Sequence, residues 1–216
     1  MTRRVSMLAF LLTLVLGLAG CAPASPPAGS QARSSTPAPA AASTPGASPS
    51  TQAQGAAASC SGRPTPAETE GPYFKAGSPE RTSLVAPGMP GTRVVVSGRV
   101  LTLDCRSVAG VILDFWQADA SGAYDNAGYR LRGHLTTDGD GRYWLQTIVP
   151  GDYPGRTQHI HVKVEAPGRP VLTTQLYFPG SARNQQDPLF HPELLMEVVD
   201  AGDGKAAIFD FVLNFR

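Results

Sequence analysis

Beyond residue 90 the chain reads as short apolar or alternating runs, rich in Val, Ile, Leu, Phe and Tyr, cut at short intervals by Gly, Pro and Asp. Alternation with a period of two sets one face of each run against a core, and many such runs between turn residues are the pattern of an all-β sandwich or barrel. Strands are expected at 92–104, 110–118, 141–148, 159–166 and 172–178, with a last strand or short helix over 206–214. The expected fold is a β-sandwich of mainly antiparallel strands whose long loops form a site. The stretch TDGDGRY, 137–143, predicts a tight hairpin turn in which glycines supply positive φ. It is not the start of a calcium loop, because the twelfth position from Asp138 is Val149 rather than a bidentate Glu.

The first 59 residues break with this pattern. Arg3 and Arg4 precede an apolar run from Met7 to Leu18 that is too short to cross a bilayer, so residues 1–20 are expected to be a secretory signal. The ending Leu18-Ala19-Gly20-Cys21 resembles the bacterial lipobox, which implies a lipid on Cys21; the alternative is an ordinary cleaved signal with an incidental cysteine. From Ala22 to Ser59 nearly every residue is Ala, Pro, Ser, Thr or Gly, with Arg33 the only charge. That composition has too little apolar bulk to offset the entropy of ordering it, so 21–59 is expected to be a flexible tether. Residues 60–216 are sized for a single domain with its own core. The expected location is outside the cytoplasm, lipid-anchored to a bacterial cell envelope.

Charge narrows the partners. All 17 Asp and Glu lie after residue 60, with 15 of the 18 Lys and Arg, so the domain carries a formal −2 and offers no basic patch for nucleic acid. With Cys21 assigned to lipid, Cys60 and Cys105 remain; in an exported protein a disulfide is the simplest use of such a pair, two buried thiols being the alternative.

The candidate chemistry sits in GDYPGRTQHIHVKV, 151–164. His159 and His161 flank Ile160, and on a strand side chains two apart leave the same face, so both imidazoles address one site while Ile160 enters the core. Two histidines so placed can chelate one metal ion; two exposed histidines on a strand edge are the alternative. Tyr153 and Tyr124 each lie in a Gly- and Asp-rich loop, where a packing or solvent-facing role is the ordinary one. Phenol has a pKa near 10, so only a hard, highly charged ion holds phenolate at neutral pH, and ferric iron fits better than zinc or calcium.

TEGPYF at 69–74, LDFWQADASGAY at 113–124, LRGHLTTDGDGRYWLQTIVPGDYPGRTQHIHVKV at 131–164 and TTQLYFPG at 173–180 together resemble the intradiol ring-cleavage dioxygenases, the protocatechuate 3,4-dioxygenase and catechol 1,2-dioxygenase class. The resemblance implies a non-haem Fe(III) held by Tyr124, Tyr153, His159 and His161. It implies that Tyr153 leaves the metal to help deprotonate a catechol and that Arg156 stabilises charge developing on the ring. The ring then opens between its two hydroxyl-bearing carbons to a cis,cis-muconate type product, with O2 as co-substrate. The segment between Tyr153 and His159 is short, which resembles a compact exported subgroup and implies an open pocket. Family members commonly form homo-oligomers. Gln175 is expected near the site or in a structural role, His134 beside it or at the surface, and His191 in a structural turn.

Three alternatives stay open on the sequence. Tyr129 competes with Tyr124 as ligand. Glu165, four residues after His161, allows a cupin-like HxH-Glu site, although the glycines and second histidine motif of cupins are missing. A sandwich that binds a ligand or protein without catalysis is the third.

Overall fold

The computed structural model describes residues 60–216; the expected signal peptide, Cys21 and the tether lie outside the described residues. Two sheets face each other. The first contains β1 (Arg93–Thr102), β4 (Arg142–Ile148), β7 (Glu197–Ala201), β8 (Gly204–Ile208) and β9 (Phe211–Leu213), ordered β4-β1-β8-β7 with β9 on the far end of β1. The second contains β2 (Ile112–Trp116), β3 (Arg132–Thr136), β5 (His159–Glu165) and β6 (Leu172–Tyr177), ordered β3-β2-β5-β6 and antiparallel throughout. Inward residues of both sheets make the core. Val94, Val96 and Leu145 of the first meet Leu113, Phe115, Ile160, Val162 and Leu176 of the second, each no more than 1% exposed.

One expectation needs correction. The TDGDGRY turn joins no paired strands, since β3 pairs with β2 and β4 with β1, so this turn carries the chain from one sheet to the other. Its chemistry is as expected: Asp138 Oδ1 accepts from the amides of Asp140 and Arg142 at 2.9 and 2.8 Å, and Gly141 has φ +71°. Turn residues report a change of direction but not which strands end up adjacent. The 206–214 element is two strands, β8 and β9, both parallel to β1, while the other strand pairings are antiparallel, in keeping with a mainly antiparallel sandwich. The alternation over 131–136 and the mostly exposed run of β7 were weaker signals, and those two strands were not anticipated.

Register on the second sheet decides the rest. Trp116 stands opposite both Arg132 and His161, and His161 stands opposite Gln175. Directly paired residues share a face, so Arg132, Trp116, His161 and Gln175 form one row on the outer side of the sheet, and His159 opposite Tyr177 lies in the next row toward the β5 start. Ile160 points inward as alternation requires and is fully buried.

The outer side is not left to solvent. The segment ahead of β1 hydrogen-bonds from Glu68 N to Thr173 O on β6 at 2.8 Å and from Arg81 N to His134 O on β3 at 2.8 Å. It thus crosses the sheet edge to edge and lays 69–74 over that row. A disulfide joins Cys60 to Cys105, in the turn that follows β1, with Cα atoms 5.8 Å apart.

Candidate functional site

His159 and His161 project from the start of β5, are almost fully buried, and bring their Nε2 atoms within 3.1 Å of each other. The Nδ1 of His159 lies 2.6 Å from the carbonyl of Thr157. A carbonyl only accepts, so Nδ1 carries the proton and Nε2 presents a lone pair to the site. The indole of Trp116 lies parallel to the His161 ring, centroids 4.8 Å apart at 8°, and fixes its plane. Burial depresses both imidazoles, His159 to about 4 and His161 well below its ordinary value, so both are neutral near pH 7.

Tyr124 comes from the loop between β2 and β3, Tyr153 from the loop between β4 and β5. Twenty-nine residues separate them in sequence, yet their rings meet edge to face with centroids 5.7 Å apart. Two glycines make the meeting possible. A Cβ on Gly122, at φ +86°, would lie 2.1 Å from the carbonyl oxygen of Asp152, and one on Gly151 would lie 2.5 Å from that of Ala120. Backbone therefore packs on backbone, tied by Gly151 N to Asp119 O at 2.8 Å, and each loop delivers its tyrosine toward the histidines. The Tyr124 and His161 centroids are 6.3 Å apart, those of Tyr153 and His159 5.6 Å.

The hydroxyl of Tyr124 is buried with no hydrogen-bond partner, as is His161 Nδ1. Burial pushes both phenols upward, Tyr124 far above its usual range, while the Arg156 charge opposes the shift at each. An orphaned buried hydroxyl on Tyr124 needs a partner that can replace its proton. Among the described residues no three His, Cys, Asp or Glu side chains gather, so a metal site here must use the phenol oxygens. Two imidazoles and two phenols form a donor set that fits a hard ion of high charge.

Arg156 lies alongside. Its Nε contacts both carboxylate oxygens of Asp187 at 3.0 Å, Nη1 donates to Tyr153 Oη at 3.2 Å, and Nη2 donates to Gln175 Oε1 and to Tyr177 Oη, the latter at 3.3 Å. The guanidinium is thus held in a buried ion pair with Asp187 while its Nη1 faces the Tyr153 hydroxyl. Asp187 is fully buried and also accepts from the amides of Thr157 and Leu189, both at 2.9 Å. Neither Asp187 nor Tyr177 was anticipated, though Tyr177 follows Gln175 with the same alternation that pairs the histidines. Tyr73 was also missed as a site residue: its ring stacks on Tyr124 at 4.3 Å and 17°.

The remaining candidates lie elsewhere. Tyr129 donates its hydroxyl to Ala76 O at 2.8 Å, under the Lys75 ammonium, which is 4.5 Å from its ring. Glu165 lies four residues along β5 from His161, about 13 Å, in a separate cavity of about 430 Å³ with Asp114, His134 and Lys163. The cupin arrangement therefore fails on geometry. His134 Nδ1 contacts Ser78 O at 2.7 Å, and His191 accepts from Glu193 N at 3.3 Å as the cap of a short 3₁₀ turn.

The family model described as Dioxygenase matches residues 69–214. The chain belongs to the intradiol ring-cleavage dioxygenase family. It is 34% identical over 172 residues to the 6-chlorohydroxyquinol 1,2-dioxygenase of Cupriavidus pinatubonensis, a match covering 67% of this chain and 62% of that one. A hydroxyquinol 1,2-dioxygenase of a Rhizobium species is 31% identical over 147 residues, covering 56% of this chain and 50% of the relative. The chain thus spans between half and two thirds of the length of these relatives. Among solved structures of the family, the dioxygenase domain of a dioxygenase carbohydrate-binding protein fusion from Streptomyces sp. SirexAA-E superposes with a TM-score of 0.70 at 60% identity, over 71% of this chain and all of that one. The 3-chlorocatechol 1,2-dioxygenase of Rhodococcus opacus gives 0.65 at 30% identity, over 70% and 73%.

Proposed function

We propose that the protein is a non-haem Fe(III) dioxygenase that opens a catechol-type ring between its two hydroxyl-bearing carbons, with O2 as co-substrate and a cis,cis-muconate type product. The observation that carries this reading is the meeting of two tyrosines from separate loops with two neutral imidazoles whose Nε2 atoms are 3.1 Å apart. Tyr124, Tyr153, His159 and His161 would hold the iron. When bound, ferric iron supplies the Lewis acidity that ionises a catechol and the electron demand that opens its ring to dioxygen.

The protein's own groups do the rest. Tyr153 Oη, ionised when it holds the metal, would be the base that takes up a substrate hydroxyl proton, with Arg156 Nη1 at 3.2 Å to stabilise the changing charge. The same guanidinium, fixed by Asp187 and Gln175, is aimed at negative charge spreading over the ring. Trp116 stacked on His161 and Tyr73 stacked on Tyr124 back these side chains with aromatic surface and hold their ring planes.

The protein is further proposed to be exported, lipidated at Cys21 and held to the cell envelope by the 21–59 tether, the 60–216 domain acting on soluble phenolics. The relatives named above carry hydroxyquinol and chlorocatechol in their names, so these rings head the substrate panel beside catechol and protocatechuate. The test loads the purified chain with ferric iron and measures visible absorbance, oxygen uptake and products. A phenolate charge-transfer colour and stoichiometric ring opening with at least one ortho-diphenol are expected; a colourless ferric protein overturns the two-tyrosine site.

A further inference from the structure

The outward row next to the one that carries His161 belongs to a different cavity. His134 on β3, Asp114 on β2, Lys163 on β5 and Thr173 on β6 stand opposite one another in register, so they share the outer face of the sheet. Ile112 and Glu165, a further opposed pair, continue that face. Together with Phe74, Gly77, Ser78 and Val171 these side chains line the cavity of about 430 Å³, a size that suits a small molecule. Tyr73 stacks on Tyr124 beside the paired histidines, whereas its neighbour Phe74 packs on Trp116 with centroids 4.9 Å apart and faces this cavity.

The open polar atoms here are acceptors. Ser78, 6% exposed, donates its hydroxyl to Asp114 Oδ1 at 2.7 Å. His134 Nδ1 donates to the Ser78 carbonyl at 2.7 Å, which leaves Nε2 of the neutral ring with a lone pair. Among the described residues Asp114 Oδ2, His134 Nε2 and the Glu165 carboxylate take no hydrogen bond from the protein. The one cationic donor on the lining, Lys163, is engaged: its ammonium pairs with Glu70 and lies 3.6 Å from the centre of the Phe74 ring.

Charge points the same way. Arg132, 2% exposed in the neighbouring row with its N–H groups on the carbonyls of Asp125 and Tyr73, acts on Asp114 and Asp125 alike. Burial nonetheless holds the Asp114 carboxyl above its ordinary range, against the Ser78 bond and the charges of His134, Lys163 and Arg132. Glu165 pairs with no cation among the described residues. Asp114 and Glu165 are diagonal neighbours, about 7–8 Å apart on the sheet, and no three His, Cys, Asp or Glu side chains converge on one ion. The cavity also has an apolar rim, Ile112 and Val171, which are 39% and 47% exposed. Such a rim has no use for a bare cation but suits a carbon stem.

We propose that this cavity binds a small organic ammonium, its N–H groups on Asp114, His134 and Glu165 and its apolar stem against Phe74, Ile112 and Val171. The inference is independent of the ferric reading, since Glu165 lies about 13 Å along β5 from His161. Two carboxylates disfavour an anion, and a neutral alcohol brings a donor without the charge.

The test titrates the purified chain at neutral pH, with and without ferric iron, with hexylamine and with its neutral analogue hexan-1-ol, by calorimetry. Hexylamine is expected to bind saturably in the millimolar range or tighter, with or without iron, and hexan-1-ol at least about 10-fold more weakly. Glu165→Gln, at an exposed position, is expected to weaken hexylamine about 10-fold and Asp114→Asn about 10–100-fold. Absence of saturable binding overturns the proposal, as does an alcohol that binds as tightly as the amine or a pair of variants that bind like wild type. Hexylamine that binds only the iron-loaded chain is a metal ligand and overturns it too. If D114N does not fold, E165Q and the alcohol decide by the same criteria. The titration reads neither colour nor turnover, so its failure and the failure of the dioxygenase reading are seen separately.

Discussion

The bare α-carbon of Gly122 faces the carbonyl of Asp152 so closely that a methyl group would meet the oxygen at 2.1 Å. Gly122→Ala must therefore push apart the two loops that carry Tyr124 and Tyr153, and it must do so at φ +86°, where alanine is itself strained. The expected outcome is a folded sandwich, with unchanged far-ultraviolet circular dichroism, that fails to hold stoichiometric iron. Full iron occupancy in G122A would show that the tyrosines do not act together.

The two tyrosines should separate in spectroscopy. Tyr124→Phe is expected to lose most iron and most colour, because it removes the orphaned buried hydroxyl. Tyr153→Phe is expected to keep iron with an altered band and to lose turnover by about 10²–10⁴-fold, the usual range for a missing general base. Metal analysis, absorbance and oxygen uptake on the same preparations check both.

Asp187 orients Arg156 without reaching the rings itself. Asp187→Asn leaves the size of the side chain but weakens the two-oxygen grip on Nε. A misaimed guanidinium is expected to cost about 10²-fold in kcat, with KM changed far less, since a catechol would still bind through its oxygens. A KM effect larger than the kcat effect would place Arg156 in ground-state binding instead.

The metal-free protein should be sensitive to acid. His159 titrates at about 4 in the fold because burial disfavours its charge, against about 6.5 when exposed. The unfolded chain thus binds the extra proton first, so stability is intact above pH 6.5 and falls as pH drops toward 4. The loss is about 3 kcal/mol from this residue, and His161, depressed for the same reason, adds in the same direction. Urea titrations of metal-free protein at pH 7.5 and 4.5 check this; equal midpoints would contradict it.

What the sequence disclosed and what it withheld divide along a physical line. Local periodicity sets side-chain direction, so the HxH pair and the inward Ile160 were readable from three residues. Motif likeness placed Tyr124 and Tyr153, but the reason they meet, two glycines opposing two carbonyls, is a contact between loops and leaves no periodic trace. Arg132 looked like one more arginine because its burial depends on a segment, 69–74, that crosses the sheet only in three dimensions. Asp187 was hidden likewise: it lies 31 residues from Arg156, beyond the last matched motif. Strand adjacency failed for the same reason at the 137–143 turn, where sequence neighbours belong to different sheets.

The Cys60–Cys105 bridge has a mechanical meaning. It sits at the head of the described chain, ahead of the strap formed by 61–81, and fastens it covalently to the turn after β1. If the chain ahead of Cys60 is tethered as proposed, the bridge gives a pull a path through sulfur to the end of β1, in the sheet that does not carry the histidines, so that the load can bypass the strap over Tyr124 and Trp116.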